Sequence, residues 1–260
     1  MKGANSIRRT QLKIFVLNLD RAPQRRKIML DRLAALALEA EILSAVDGKE
    51  LNAADLLPGT ERKLTPGEIG CYLTHVNSWK TIIQRGLSHA IVLEDDVILS
   101  PKLMALAEEV IALGMPFDVV RLSALFPIRG IPVASLSGNA RLVLTTKPPS
   151  GAQGYLVSLD GAKRLLAKLV VPKLPVDVAF DRYWKYGLCM PLLFPSVVEE
   201  DKGQESTIVN RIRDTHRETI FERMTHRAEK RLRKVVANIM ARRLRQYGLL
   251  KVNYKSGLQK

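Results

Sequence analysis

Three consecutive carboxylates, Glu94, Asp95 and Asp96, interrupt an otherwise apolar run, with Ala90-Ile91-Val92-Leu93 before them and Val97-Ile98-Leu99 after. Acids at the end of a buried segment are costly unless a cation meets them. Oxygen donors of this kind suit a divalent ion such as magnesium or manganese, and an ion so held can grip a diphosphate. The competing reading is a solvated acidic turn with no ligand. The lead-in is short and β-branched, as in a buried strand of a parallel sheet. Ligands of open α/β sheets bind beyond the carboxyl ends of such strands, so the rest of the chain must supply the sheet.

It does so by alternation. Ile14–Leu19 reads as a first strand, and Pro23 suits the first turn of a helix whose apolar face would be Ile28, Met29, Leu33 and Leu36. Glu41–Val46 reads as a second strand closed by a turn at Asp47-Gly48, which predicts a right-handed parallel crossover. Thr65-Pro66-Gly67-Glu68 is a capping-box helix start, and that helix runs through Cys71, Val76, Trp79 and Ile83 into the acid-bearing strand. A helix from Ser100-Pro101, a strand at Phe117–Leu122, a strand at Gly154–Ser158 and a helix to Leu169 follow. Asp177–Tyr186 reads as a short helix that Asp177 can cap. The class is α/β with a central, mostly parallel sheet.

At 260 residues, 47% hydrophobic and 26% charged, the chain can bury one substantial core. No apolar run reaches the roughly 18 residues that span a bilayer, and Met1–Gln11 lacks the apolar core of a secretory signal. Cys71 and Cys189 stand far apart, which points to a reduced, cytoplasmic protein and excludes a zinc site built from cysteines. The net charge is +15, and from Ile208 onward 15 Lys/Arg face four acids, so only about +4 remains for the first 207 residues. In that segment Leu232, Val235, Val236, Ile239, Met240, Leu244 and Tyr247 fall on one helical stripe flanked by Arg and Lys. Such a helix docks on its own domain, lies against anionic lipid, or does both. Nucleic acid is a poor partner: aromatics are 5% and no nucleic-acid-reading motif is present.

Several ordered segments carry a resemblance. They are Val16-Leu17-Asn18-Leu19-Asp20-Arg21-Ala22-Pro23-Gln24-Arg25-Arg26, Ala45-Val46-Asp47-Gly48, Leu64–His75 and Val92-Leu93-Glu94-Asp95-Asp96-Val97, with weaker echoes at Gly154–Ser158 and Pro175-Val176-Asp177. Together they resemble the bacterial lipopolysaccharide (lipooligosaccharide) glycosyltransferases of family 25, mostly galactosyltransferases. The resemblance implies a GT-A-like nucleotide-sugar-binding fold, a UDP-sugar donor, a divalent cation (usually manganese) and inversion at the anomeric carbon. Together with the charge distribution it divides the chain into a flexible N-terminus (1–11), a GT-A-like catalytic domain (12–207) and a basic amphipathic helical tail (208–260).

Within that frame Asp96 is the expected direct metal ligand, with Glu94 a second metal candidate and Glu94 or Asp95 touching ribose or metal-bound water; strand alternation points Glu94 and Asp96 to one side and Asp95 to the other. Asn18, Asp20 and Arg21 should meet the nucleotide, and Arg21 or Arg25 could balance phosphate charge, although Arg25 and Arg26 also read as a solvated helix face. Asp47 and Gly48 read either as contacts to uracil or ribose or as a plain turn. His75 is a donor-site candidate by the family's pattern, though a lone helical histidine is as readily structural. Gly154 and Tyr155 would shape the sugar pocket. Asp177, then Asp181, is the expected base for the acceptor hydroxyl. Glu199, Glu200 and Gln204 fall where the family often has a Gln before a Ser-Asp-Ile-like triplet, and here Ser206-Thr207-Ile208 replaces that triplet. The expected activity moves a hexose, galactose foremost, onto a lipid-linked oligosaccharide at the inner face of the inner membrane. Another donor sugar (glucose or N-acetylhexosamine), or a non-catalytic nucleic-acid-binding role, is the alternative.

Overall fold

The computed structural model describes residues 12–61, 63–203 and 220–245. In chain order the elements are β1 (Lys13–Asn18), α1 (Pro23–Ala35), β2 (Glu41–Ser44), α2 (Pro66–Gln84), β3 (His89–Glu94), β4 (Val97–Leu99), α3 (Leu103–Ala112) and β5 (Val119–Arg121). They continue as β6 (Gly130–Ser135), β7 (Arg141–Thr145), β8 (Gly154–Ser158), α4 (Leu159–Leu169), α5 (Val176–Asp181), β9 (Leu192–Phe194), β10 (Val198–Glu200) and α6 (Ile220–Arg245).

Eight strands form one sheet in the order β2-β1-β3-β8-β5-β9-β7-β6, and β4 pairs with β10 in a small second sheet. β1 runs parallel to both β2 and β3, while β8 and β7 run against their neighbours. Six of the eight strands therefore share one direction, as the sequence predicts.

Strand alternation sorts the core into two layers. Ile14, Val16, Ile91, Leu93 and Leu156 meet α1 and α3 on one face of the sheet. Phe15, Leu17, Val92, Tyr155 and Val157 meet α2, α4 and α5 on the other. Burial on both faces explains why β1 and β3 read as unbroken apolar runs. At the start of α2 the Thr65 hydroxyl accepts from the Glu68 N–H at 3.2 Å and the Glu68 carboxylate accepts from the Thr65 N–H at 2.8 Å, the expected capping box.

Three expectations shift. In α1 the buried pair is Met29 and Leu33, and Ile28 is exposed. In α5 the cap position is Pro175 without a side-chain bond, so Asp177 lies inside the first turn rather than capping it. Helix α6 does dock, but on a rotated face: Ala237, Ala241 and Leu244 join the core against β6 and β7. Leu232, Val235 and Ile239 are left 52%, 53% and 45% exposed. Alanine lets the helix approach the sheet closely, and close approach outweighs the bulk of the larger aliphatics. Tyr247, the 207/208 division and Gln204–Ile208 lie outside the described residues.

Candidate active site

The carboxyl ends of three adjacent parallel strands, β1, β2 and β3, open onto one cleft of about 820 Å³, its mouth included. Its lining combines Arg21 and Arg25 after β1, Ala45–Gly48 after β2, Cys71, Thr74 and His75 from α2, and Glu94, Asp95 and Asp96 after β3, with Gln153 and Glu200.

Each wall is fixed by an identifiable contact. The Thr74 hydroxyl accepts from the Val46 N–H at 2.9 Å and donates to the Gly70 carbonyl at 2.7 Å, tying the turn after β2 to α2. Gly48 and Gly70 make this possible. A Cβ on Gly70 would lie 2.6 Å from the Val46 oxygen, and one on Gly48 would lie 1.6 Å from the Pro66 oxygen. Arg21 donates to Asp47, which holds that carboxyl below the usual carboxylate range.

The acid turn carries an internal cation. β3 ends at Glu94, so the two-residue alternation stops there and Asp95 and Asp96 follow in a turn. Both therefore reach the same group, contrary to the alternation argument: the Arg25 guanidinium lies 2.5 Å from Asp95 Oδ1 and 2.6 Å from Asp96 Oδ2. Asn18 Nδ2 donates to Asp95 Oδ2 at 2.6 Å, and Arg26 bridges Asn18 to Asp20 at 2.8 and 2.7 Å. Asp20 is thus an exposed outer member of a relay that ends on Asp95.

Burial raises the Asp95 carboxyl above its usual value, against the pull of Arg25 and Asn18. Burial, reinforced by the Glu94 charge and only partly offset by Arg25, pushes Asp96 up to about 7. Asp96 Oδ1 is buried and accepts no hydrogen bond. The orphaned oxygen of Asp96 is a single hard donor of the kind a divalent cation takes.

The remaining expected residues lie elsewhere. Glu94 faces His75 rather than Arg25, with His75 Nε2 at 3.4 Å from Glu94 Oε1. Tyr155 is wholly buried beneath the cleft, where its hydroxyl accepts from Trp79 Nε1 at 2.9 Å and meets His75 Nδ1 at 3.0 Å. Gly154 pairs with Leu93 across the sheet, and a Cβ there would strike Val198 at 2.8 Å. Asp181 is buried and ion-paired with Arg121 at 2.6 Å. Asp177 is half-buried, its carboxylate accepting from the Val178 N–H at 2.9 Å. None of Asn18, Asp20, Gly154, Tyr155, Asp177 and Asp181 lines the cleft. Residues the sequence reading did not single out are Cys71, whose signal is its spacing of one helical turn from His75, and Gln153, for which the sequence holds no signal.

A sequence profile of glycosyltransferase family 25 (LPS biosynthesis protein) matches residues 11–180. The chain belongs to that family. Within family 25 it is 33% identical over 199 residues to a probable inactive glycosyltransferase 25 family member 3 of Rattus norvegicus, covering 66% of this chain and 33% of the relative. It is 34% identical over 187 residues to procollagen galactosyltransferase 2 of Homo sapiens, covering 64% and 29%. The chain thus spans about a third of the length of the curated relatives it matches. Among solved structures it is similar to the galactosyltransferase LgtC in complex with donor and acceptor sugar analogs, at TM-score 0.41 and 10% identity, covering 94% of this chain and 98% of that one. That likeness is too distant to locate any residue.

Proposed function

We propose that this family 25 chain transfers a hexose, galactose foremost, from a UDP-sugar to a saccharide acceptor with inversion. The observation that carries the reading is the convergence of the segments after β1, β2 and β3 on one cleft lined by five carboxylates, three of them consecutive, and two arginines. Ligands bind in such crevices at strand carboxyl ends. In this reading Asp47 and Gly48 frame the nucleoside, and Arg21 and Arg25 offer guanidinium donors to diphosphate oxygens. Asp96 and Glu94 would hold the divalent cation, which when bound supplies Lewis-acid stabilisation of the departing diphosphate. Asp181 is committed to Arg121, and Asp177 lies outside the cleft lining but keeps a half-exposed carboxylate; in this reading Asp177 takes the acceptor proton, and Asp177→Asn should lower kcat while sparing UDP binding.

The acceptor proposed is a lipid-linked lipopolysaccharide oligosaccharide at the inner face of the inner membrane. Helix α6 supports it: the exposed Leu232, Val235 and Ile239 stand among Arg231, Lys234, Arg242 and Arg243, a pattern that suits an anionic lipid surface. No described helix is long and apolar enough to cross a membrane.

The test is thermal. UDP with manganese should raise the melting temperature more than either alone, and Asp96→Ala should abolish the manganese-dependent part. An unaltered shift in Asp96→Ala removes that residue from the site, and no shift with any UDP-sugar sinks the transferase reading. Replacing Leu232, Val235 and Ile239 together by Ser should release the protein from anionic vesicles; undiminished vesicle binding refutes the role of α6. A second reading, nucleotide binding without transfer, is favoured by Arg25 already standing between Asp95 and Asp96. It predicts a UDP shift indifferent to manganese.

A further inference from the structure

The cleft holds a second donor set whose chemistry differs from that of the acid turn. Cys71 and His75 are one turn apart on α2, and the Cys71 Sγ, a His75 ring nitrogen and a Glu94 carboxylate oxygen lie within 4.8 Å of one another. His75 Nε2 and Glu94 Oε1 are 3.4 Å apart. Zinc with nitrogen and oxygen ligands at about 2.0–2.1 Å in a tetrahedral field sets those two atoms about 3.3 Å apart.

An independent observation points to a ligand. His75 is wholly buried, and its Nε2 makes no hydrogen bond. A buried polar atom left in that state costs stability. The other ring nitrogen, Nδ1, lies 3.0 Å from the Tyr155 hydroxyl, which Trp79 Nε1 anchors at 2.9 Å. With the proton on Nδ1, donated to Tyr155, Nε2 presents its lone pair toward Glu94 and Cys71. Metal-binding imidazoles take this form, their second nitrogen donating to an oriented acceptor.

We propose that Cys71, His75 and Glu94 form a binding site for a zinc-class cation, with Tyr155 as the positioning residue behind it. Thiolate and imidazole donors select zinc over the hard ions that suit Asp95 and Asp96. Three protein ligands leave the fourth position open to water or a bound molecule in the cleft. The site stands on this donor geometry and does not rest on the transferase reading.

Cobalt reports it without an activity assay. The full chain, stripped with a chelator and titrated with Co²⁺, should develop a thiolate-to-cobalt charge-transfer band in the near ultraviolet at one equivalent, which Zn²⁺ bleaches. Cys71→Ser should abolish the band, while Cys189→Ser and Asp96→Asn keep it. Tyr155→Phe should keep the band but weaken cobalt affinity about 10-fold. A wild-type chain without the band overturns the proposal. So does a band that survives Cys71→Ser, or one that disappears in Cys189→Ser or Asp96→Asn.

Discussion

Removing one oxygen, Tyr155→Phe, isolates the support beneath the cleft. Phenylalanine keeps the ring, its edge-on contact with Phe180 at 5.3 Å between centroids, and nearly all the volume, so packing terms drop out. Burial pushes the Tyr155 phenol well above its usual range, so the group lost is a neutral hydroxyl. That hydroxyl serves Trp79 Nε1 at 2.9 Å and His75 Nδ1 at 3.0 Å, and both partners are wholly buried. The Ser78 contact, at 3.5 Å, is too long to count. Two buried groups lose their partner, each at about 1–3 kcal/mol, which predicts a loss of about 2–6 kcal/mol and a melting temperature lower by on the order of 10 °C. Urea unfolding measures it, and the m-value should not change because the surface exposed on unfolding is the same. The manganese-dependent UDP shift should persist, since the carboxylates of Asp96 and Glu94 are untouched. A loss under about 0.5 kcal/mol, the scale of a neutral surface substitution, would refute the assignment of the hydroxyl as hub.

Gly70→Ala should push α2 from the turn after β2 and cost about 1–3 kcal/mol, because its Cβ meets backbone at 2.6 Å. UDP affinity should fall with it, and a variant of wild-type stability and affinity would show that the turn can give way. Asp181→Ala leaves Arg121 buried with only the Ser150 and Gly151 carbonyls for partners. Denaturant unfolding should show a loss of about 3–5 kcal/mol; a loss below about 1 kcal/mol would mean that Arg121 finds solvent. Burial holds the His89 imidazole below its ordinary 6.5. The unfolded chain therefore takes up a proton first on acidification, so this contribution is present above pH 6.5 and is lost as pH falls through the folded value. Melting temperatures across that range should fall less steeply in His89→Gln; parallel curves would sink the argument.

What was legible in the sequence was local. The start of α2 is written in Thr65-Pro66-Gly67-Glu68, and β3 with its acids is written in one unbroken run. What was not legible joins distant residues. Arg25 reads as a solvated helix position, yet it meets acids some seventy residues away, because α1 follows β1 and β1 pairs with β3. The place of β8, antiparallel between β3 and β5, depends on pairings no local pattern encodes. On α6 the stripe of large aliphatics was half right: Leu244 and Met240 pack on the core beside Ala237 and Ala241, while Leu232, Val235 and Ile239 face outward.

The two aspartates of the acid turn stand differently toward the fold. Asp95 accepts from Asn18 at 2.6 Å and pairs with Arg25 at 2.5 Å, which makes it part of what ties β3 to the segment after β1. Asp96 shares the same guanidinium, but its second oxygen is buried without a donor beside two other acids. Burial opposes ionisation of both acids, but Asp95 has Asn18 and Arg25 to offset that cost, whereas Asp96 shares Arg25 and leaves its second oxygen unmet. With chelator present, Asp95→Asn should therefore destabilise by about 1.5–3 kcal/mol, the scale of a hydrogen bond to a charged group. Asp96→Asn should be neutral or stabilising while it removes the manganese-dependent UDP shift. Equal losses from the two substitutions would mean that both acids are structural, and the case for Asp96 as the functional carboxylate would fail.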